Sequence, residues 1–137
     1  MLGTLQPAVG AFRLTLHILA ATIWVGGQLT VAGMLPTVRG LGTDAPRAVA
    51  RALGRLLWPS YAVLVATGIW NIAAMHVGSQ PAAWKVVLGV KIGVVALAGS
   101  AAWLHTVAKS RAGLAAWGAL AGLSSVAALA LGVLLSG

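Results

Sequence analysis

The residues of this chain that could do chemistry are few, and most of them stand inside long apolar stretches. His17 begins a stripe at helical spacing that continues through Trp24, and Arg13 precedes it by one turn. Asn71 belongs to a second polar stripe, and Lys91 interrupts a third apolar stretch. An imidazole can ligate a metal, and an ammonium or a guanidinium can bind an anion. Because polar groups at membrane depth are costly and usually face the protein interior, we expect a functional site among these residues.

The composition excludes many other kinds of site. The chain has no cysteine, which excludes disulfides, zinc–thiolate sites, iron–sulfur clusters and thiol catalysis. Hydrophobic residues make up 60% of the chain and charged residues 7%, whereas a soluble domain carries about 25% charged residues. The solvent of most of this surface must therefore be lipid. With Asp44 as the one acidic residue, no carboxylate lies in a span to serve ordinary hydrolytic or acid–base catalysis.

Four apolar runs must position these residues, and they predict transmembrane helices at about 11–35, 56–77, 84–107 and 113–135. Each run reaches the ~20 residues that cross a bilayer. We therefore expect an all-α protein, with residues 1–137 forming one up-and-down four-helix bundle. The connector 36–55 carries Arg47, Arg51 and Arg55 on one face. That spacing predicts a short basic amphipathic helix on anionic headgroups, and no nucleic-acid site.

The distribution of cations predicts the orientation. The first and third connectors together hold six cations, and the opposite side holds two, Arg13 and Lys85. The six are Arg39, Arg47, Arg51, Arg55, Lys109 and Arg111. The positive-inside rule then places both connectors in the cytoplasm and both termini outside. We expect a multi-pass protein of a prokaryotic-type cytoplasmic membrane.

Depth predicts which polar groups can cooperate. At a rise of 1.5 Å per residue, His17 and Lys91 lie ~9 and ~10 Å below the outer surface, and His76 lies at the outer rim. His105 lies ~21 Å further along its helix than Lys91, which excludes it from the same small site. The groups expected to meet in the outer half are His17, Lys91, His76 and, on the second helix, Thr67 and Asn71.

The first helix resembles that of the copper resistance protein D (CopD) family. It contains LHILAATIWVGG from Leu16 to Gly27, followed by Pro36 and Arg39. The shared pattern is a histidine, seven residues to a tryptophan, and then Gly-Gly. The TGIW segment that ends at Trp70 and the Lys-Ile pair that begins at Lys91 also fit that family.

The layout is also similar to that of the HemJ-type protoporphyrinogen oxidases. They share a histidine in the first helix and a tryptophan followed by a lysine in the third. That resemblance implies a b-type heme held by His17, with Lys91 essential or a ligand. The chain lacks the Tyr-Leu-Pro-Arg-Leu run that follows the tryptophan in those oxidases. The resemblance therefore implies the heme site rather than the oxidase activity.

Heme b is the cofactor that the inventory of polar groups favours, for electron transfer or for heme or quinol redox handling. The ring would lie against Trp24 or Trp84, and the propionates would point toward Arg13 or Lys85. His17 would be one axial ligand. Lys91 would be the opposite axial ligand or a close neighbour of the first ligand. His76 is the alternative candidate for the opposite ligand. Asn71 is expected near the same site.

Two other functions stay open from the sequence. One is CopD-like copper transport with His17, Met75 and His76 as ligands, although copper(I) prefers softer ligands than this chain offers. A protonated Lys91 would also repel a passing cation. The other is a small accessory membrane subunit. A homo-oligomer or a membrane redox partner is compatible with each of these functions.

Overall fold

The computed structural model describes residues 5–136, and the side chains of residues 8–136. It contains four α-helices: α1 (Leu5–Gly40), α2 (Ala45–Ala74), α3 (Ala82–Val107) and α4 (Arg111–Ser136). One 3-10 turn, Val77–Ser79, joins α2 to α3, and no strand occurs among the described residues. The predicted all-α fold is confirmed. The end residues Met1 and Gly137, which the orientation argument placed outside, lie beyond the described residues.

All four helices are long and apolar enough to cross a membrane. They contain 36, 30, 26 and 26 residues, or about 54, 45, 39 and 39 Å at 1.5 Å per residue. A bilayer core is about 30 Å thick. The chain is therefore a multi-pass membrane protein by the length and composition of its helices.

The first connector is much shorter than the sequence analysis predicted. α1 continues through Pro36 to Gly40, and α2 begins at Ala45, so only residues 41–44 lie outside helix. The predicted polar connector 36–55 is wrong in this respect. Pro36 lies near the C-terminal end of α1, where it removes one backbone hydrogen bond without ending the helix. The segment after Ala45 is rich in arginine, alanine and leucine, which favour helix. The stripe of Arg47, Arg51 and Arg55 is therefore the first part of α2 instead of a separate surface helix.

The turn between α1 and α2 depends on Gly42 and Asp44. Gly42 has a φ of 139°, a conformation that side-chain-bearing residues rarely adopt. Asp44 is the N-cap of α2, and proline follows in the first turn. The Asp44 side chain makes no capping hydrogen bond. Its carbonyl oxygen accepts from the Ala48 N–H at 3.0 Å, so the backbone starts the helix.

Contacts divide the chain into two compact units. The first unit, Met1–His76, contains α1 and α2, which pack as an antiparallel pair. The second unit, Val77–Gly137, contains the antiparallel pair α3 and α4. In each unit the end at the helix–helix connection is here called the turn end, and the opposite end the open end.

Small residues let the helices of each unit approach closely. In the first unit, a Cβ atom at Gly27 would lie 2.8 Å from the Leu57 Cδ2 atom. In the second unit, Gly118 receives the His105 ring, since a Cβ atom there would lie 3.0 Å from Nδ1. A Cβ atom at Gly122, four residues further along α4, would have nothing within 4 Å. The same holds for Gly89 and Gly93 on α3. Of the four glycines, Gly118 alone therefore marks a close approach within the described part of this unit.

Candidate functional site

The centre of the candidate site is a hydrogen bond between α1 and α2. His17 Nδ1 lies 2.9 Å from the Thr67 hydroxyl oxygen, and Thr67 is 4% exposed. The Thr67 hydroxyl donates to the Val63 carbonyl oxygen at 2.7 Å, with the Leu64 carbonyl oxygen at 3.1 Å. Because a hydroxyl has one hydrogen, Thr67 accepts from His17, which therefore carries its proton on Nδ1. The unprotonated nitrogen is then Nε2, the form in which a histidine ligates a metal.

The His17 ring also rests against Gly68, the residue after its hydrogen-bond partner. A Cβ atom at Gly68 would lie 3.5 Å from His17 Cε1. A larger side chain would meet the ring at once, so the small residue lets the imidazole lie close to α2. Sequence reasoning did not assign Gly68 a role. Its place beside Thr67 in the TGIW segment was the available signal.

A second polar group lies one turn toward the open end of the first unit. Arg13 donates from Nε to the Asn71 side-chain oxygen. The Arg13 guanidinium carbon also lies 5.7 Å from the centroid of the Trp70 ring, a cation–π distance. The expectation that Thr67 and Asn71 lie near the His17 stripe is confirmed.

An aromatic cluster lies two turns from His17 toward the turn end. The Trp24 ring centroid lies 4.7 Å from that of Tyr61 and 5.6 Å from that of Trp58. Trp24 is 2% exposed, so its surface is occupied by packing. From the sequence, Trp24 was expected to lie against a bound heme ring, and its contact with Tyr61 was not predicted. The structure shows that Trp24 packs against both of these α2 aromatic residues.

The other two expected site residues belong to the second unit. Lys91 is half-buried, and a Cβ atom at Gly132 would lie 3.1 Å from its ammonium nitrogen. Trp84 donates from Nε1 to the Leu135 carbonyl oxygen at 3.3 Å. At the open end of this unit, Trp84 also lines an open apolar groove of about 360 Å³, together with Val87 and Leu134. Within the second unit, Lys91 and Trp84 thus occupy the same half of the α3–α4 pair.

Of the other two histidines, one follows the end of α2 and one belongs to the second unit. His76 is exposed and follows the end of α2, and Met75 beside it is 40% exposed. From Thr67 to the last residue of α2 is about 10 Å along the helix, so both lie about two turns beyond the level of His17. His105 belongs to the second unit, where its Nδ1 donates to the Leu114 carbonyl oxygen at 2.8 Å. It joins the turn-end parts of α3 and α4.

The described residues contain no group of three or more histidine, cysteine, aspartate or glutamate side chains that could hold a metal ion. The arrangement in the first unit instead offers one oriented imidazole and one oriented guanidinium, a turn apart. This pair suits a ligand with a metal centre and an anionic edge better than a bare ion. No protein-family model matches the chain, and neither a curated protein sequence nor a solved structure is significantly similar to it.

Proposed function

We propose that the chain is an integral membrane heme-b-binding protein that serves electron transfer or heme or quinol redox handling. The observation that carries this proposal is the hydrogen bond between His17 and Thr67. It fixes the tautomer in which Nε2 can ligate iron, and it links the ring to the α2 backbone through the Val63 carbonyl oxygen. An imidazole held in this way loses little conformational freedom when it binds a metal.

The groups around His17 suit the rest of a heme. Arg13 lies one turn away, and its guanidinium matches the carboxylate of a propionate. The one acidic residue of the chain, Asp44, lies at the turn end of the same unit and does not compete for Arg13. Bound heme would supply one-electron redox chemistry. The chain would hold the iron through His17 and the propionate through Arg13.

Lys91 and His76 are the two candidates from the sequence for a second iron ligand. His76 belongs to the same unit as His17 but follows the end of α2, and Lys91 belongs to the second unit. The variants Lys91→Met and His76→Ala distinguish these two candidates. Loss of the true ligand would change the coordination of the iron and therefore the visible spectrum of the reduced protein.

We also propose that the arginine stripe of α2 binds anionic lipid headgroups on the cytoplasmic side. α2 is about 45 Å long and its stripe occupies the first third, so this part extends past a hydrocarbon layer of about 30 Å. Arg47, Arg51 and Arg55 are exposed there. Exposed cations just outside the hydrocarbon attract anionic headgroups by about 1 kcal/mol each.

The test of the heme proposal is the absorbance spectrum of the detergent-purified protein after heme-replete expression. A Soret band with α and β bands that sharpen on reduction supports it. A colourless protein that copurifies with copper after expression in copper would contradict it and favour the copper-handling alternative. A protein with neither heme nor copper would also contradict it and favour the accessory subunit.

A further inference from the structure

The Arg13 side chain uses only part of its hydrogen-bonding capacity within the chain. Its Nε–H donates to Asn71, and Trp70 faces the guanidinium. Its two terminal amino groups meet no acceptor among the residues that the structure describes. Together they form a planar fork of donors that matches the two oxygens of a carboxylate or a phosphate. Asn71 and Trp70 restrain this fork from adjacent positions on α2.

The described part of the first unit supplies no negatively charged side chain near Arg13. Asp44 is the one acidic residue of the chain, and it lies at the turn end of the first unit. Asn71, which marks the level of Arg13, lies about 40 Å from Asp44 along α2. A half-buried arginine in a membrane protein is costly without a counter-charge. No side chain in the described part of this unit supplies that charge, so an oxyanion from another molecule would be a suitable partner for Arg13.

The position of Arg13 indicates the kind of molecule. Asn71 lies one turn before the end of α2, so the guanidinium lies near one boundary of the span. The residues next in sequence to Arg13 and Trp70 include large exposed apolar side chains, with Phe12 60% exposed and Ile69 63% exposed. A ligand that reaches Arg13 therefore meets a donor fork and an apolar surface together. That combination fits an oxyanion attached to an apolar body.

We infer that Arg13, Asn71 and Trp70 form a binding site for the carboxylate or phosphate group of a membrane-soluble amphiphile. Arg13 makes the contact, and Asn71 and Trp70 are positioning residues. Two sources of this chemistry are a porphyrin carboxylate and a phospholipid phosphate. For the porphyrin source, the inference rests on the proposed function, whose propionate contact it tests at Arg13. It needs no iron and no ligation by His17, so loss of the heme spectrum in His17→Ala and loss of oxyanion binding in Arg13→Gln are separate outcomes.

The experiment has one arm for each source and uses the full chain in detergent. The first arm titrates metal-free protoporphyrin IX, and its dimethyl ester as the uncharged probe, by fluorescence. The second arm measures bound phosphatidylglycerol, with diacylglycerol as the uncharged probe, by native mass spectrometry. The variants are Arg13→Gln, Arg13→Lys and Asn71→Leu. The matched control is Arg39→Gln, which removes the same charge from an exposed position near the other end of α1.

In at least one arm, Arg13→Gln should weaken binding of the anionic probe by about tenfold or more, since a charge-assisted bidentate contact is lost. Arg13→Lys should retain part of the affinity because its ammonium is a point charge without the fork. Asn71→Leu should weaken binding severalfold without changing the charge, and Arg39→Gln should change it little. The arm in which Arg13→Gln weakens binding of the anionic probe identifies the source of the oxyanion.

Equal affinity of wild type and Arg13→Gln for the anionic probe in both arms would overturn the inference. Equal losses of affinity for the anionic and the uncharged probes in Arg13→Gln would also overturn it. If Arg13→Gln fails to fold, the Arg13→Lys and Asn71→Leu comparisons decide.

Discussion

Replacement of Gly27 by alanine tests the packing that brings α1 against α2. The added Cβ would lie 2.8 Å from Leu57 Cδ2 and 3.3 Å from Leu53 Cδ1. Ordinary carbon–carbon contacts are about 3.5–4.0 Å, so the leucine methyl groups must move by up to about 1 Å. Leu57 is only 8% exposed and has little room. Such overpacking costs about 1–3 kcal/mol.

The matched control is Gly26→Ala in the same turn of α1, where no atom lies within 4 Å of the added Cβ. Both variants gain the same helix propensity, about 1 kcal/mol relative to glycine, so this term cancels in the comparison. We expect Gly27→Ala to be less stable than Gly26→Ala by about 1–3 kcal/mol. The assay is reversible unfolding in mixed detergent, followed by circular dichroism. If Gly27→Ala is as stable as Gly26→Ala, the close contact between α1 and α2 at this level is refuted.

The remaining predictions concern the site and the orientation. Thr67→Val removes the acceptor for the His17 Nδ1–H, so it should lower the free energy of unfolding by about 1 kcal/mol, while Thr67→Ser should restore it. It should also shift the reduction potential of bound heme, and wild-type values for both properties in Thr67→Val would refute the hydrogen bond. A reporter fused to the C-terminus should behave as external, and one inserted in the α1–α2 turn should behave as cytoplasmic. The reason is that the cations concentrate in and around the α1–α2 and α3–α4 connections. The reverse pattern would invert the membrane orientation.

Side-chain periodicity was enough to predict the pairing of α1 with α2. Thr67 and Asn71 lie one turn apart on one face, and His17 and Arg13 have the same spacing on α1. Because a polar group in lipid needs a partner, these two faces were expected to meet. The structure confirms that expectation with the bonds from His17 to Thr67 and from Arg13 to Asn71.

The boundaries of the first connector could not be predicted in the same way. Pro36 and the run of arginines appeared to end one helix and to separate it from the next. A proline near the end of a helix removes one hydrogen bond, and arginine favours helix, so neither feature stops the chain. The turn is instead set by Gly42, whose backbone conformation depends on its lack of a side chain. Periodicity carries no signal for such a conformation.

Partners of aromatic and glycine residues were also beyond the sequence pattern. Tyr61 and Trp58 surround Trp24, although neither lies on the polar stripe of α2. Gly118 receives the ring of His105. Which side chain fills a space depends on three-dimensional neighbours on the other helix, and spacing along one helix does not identify them.

The most direct test of the central claim compares reduced-minus-oxidised spectra of His17→Ala and His105→Ala with the wild type. Both variants remove an imidazole that makes a hydrogen bond between paired helices, one in each unit. His17→Ala should lose the heme spectrum or shift it grossly, while His105→Ala should retain it. An unchanged heme spectrum in His17→Ala would contradict heme ligation by His17, as would heme loss in His105→Ala alone.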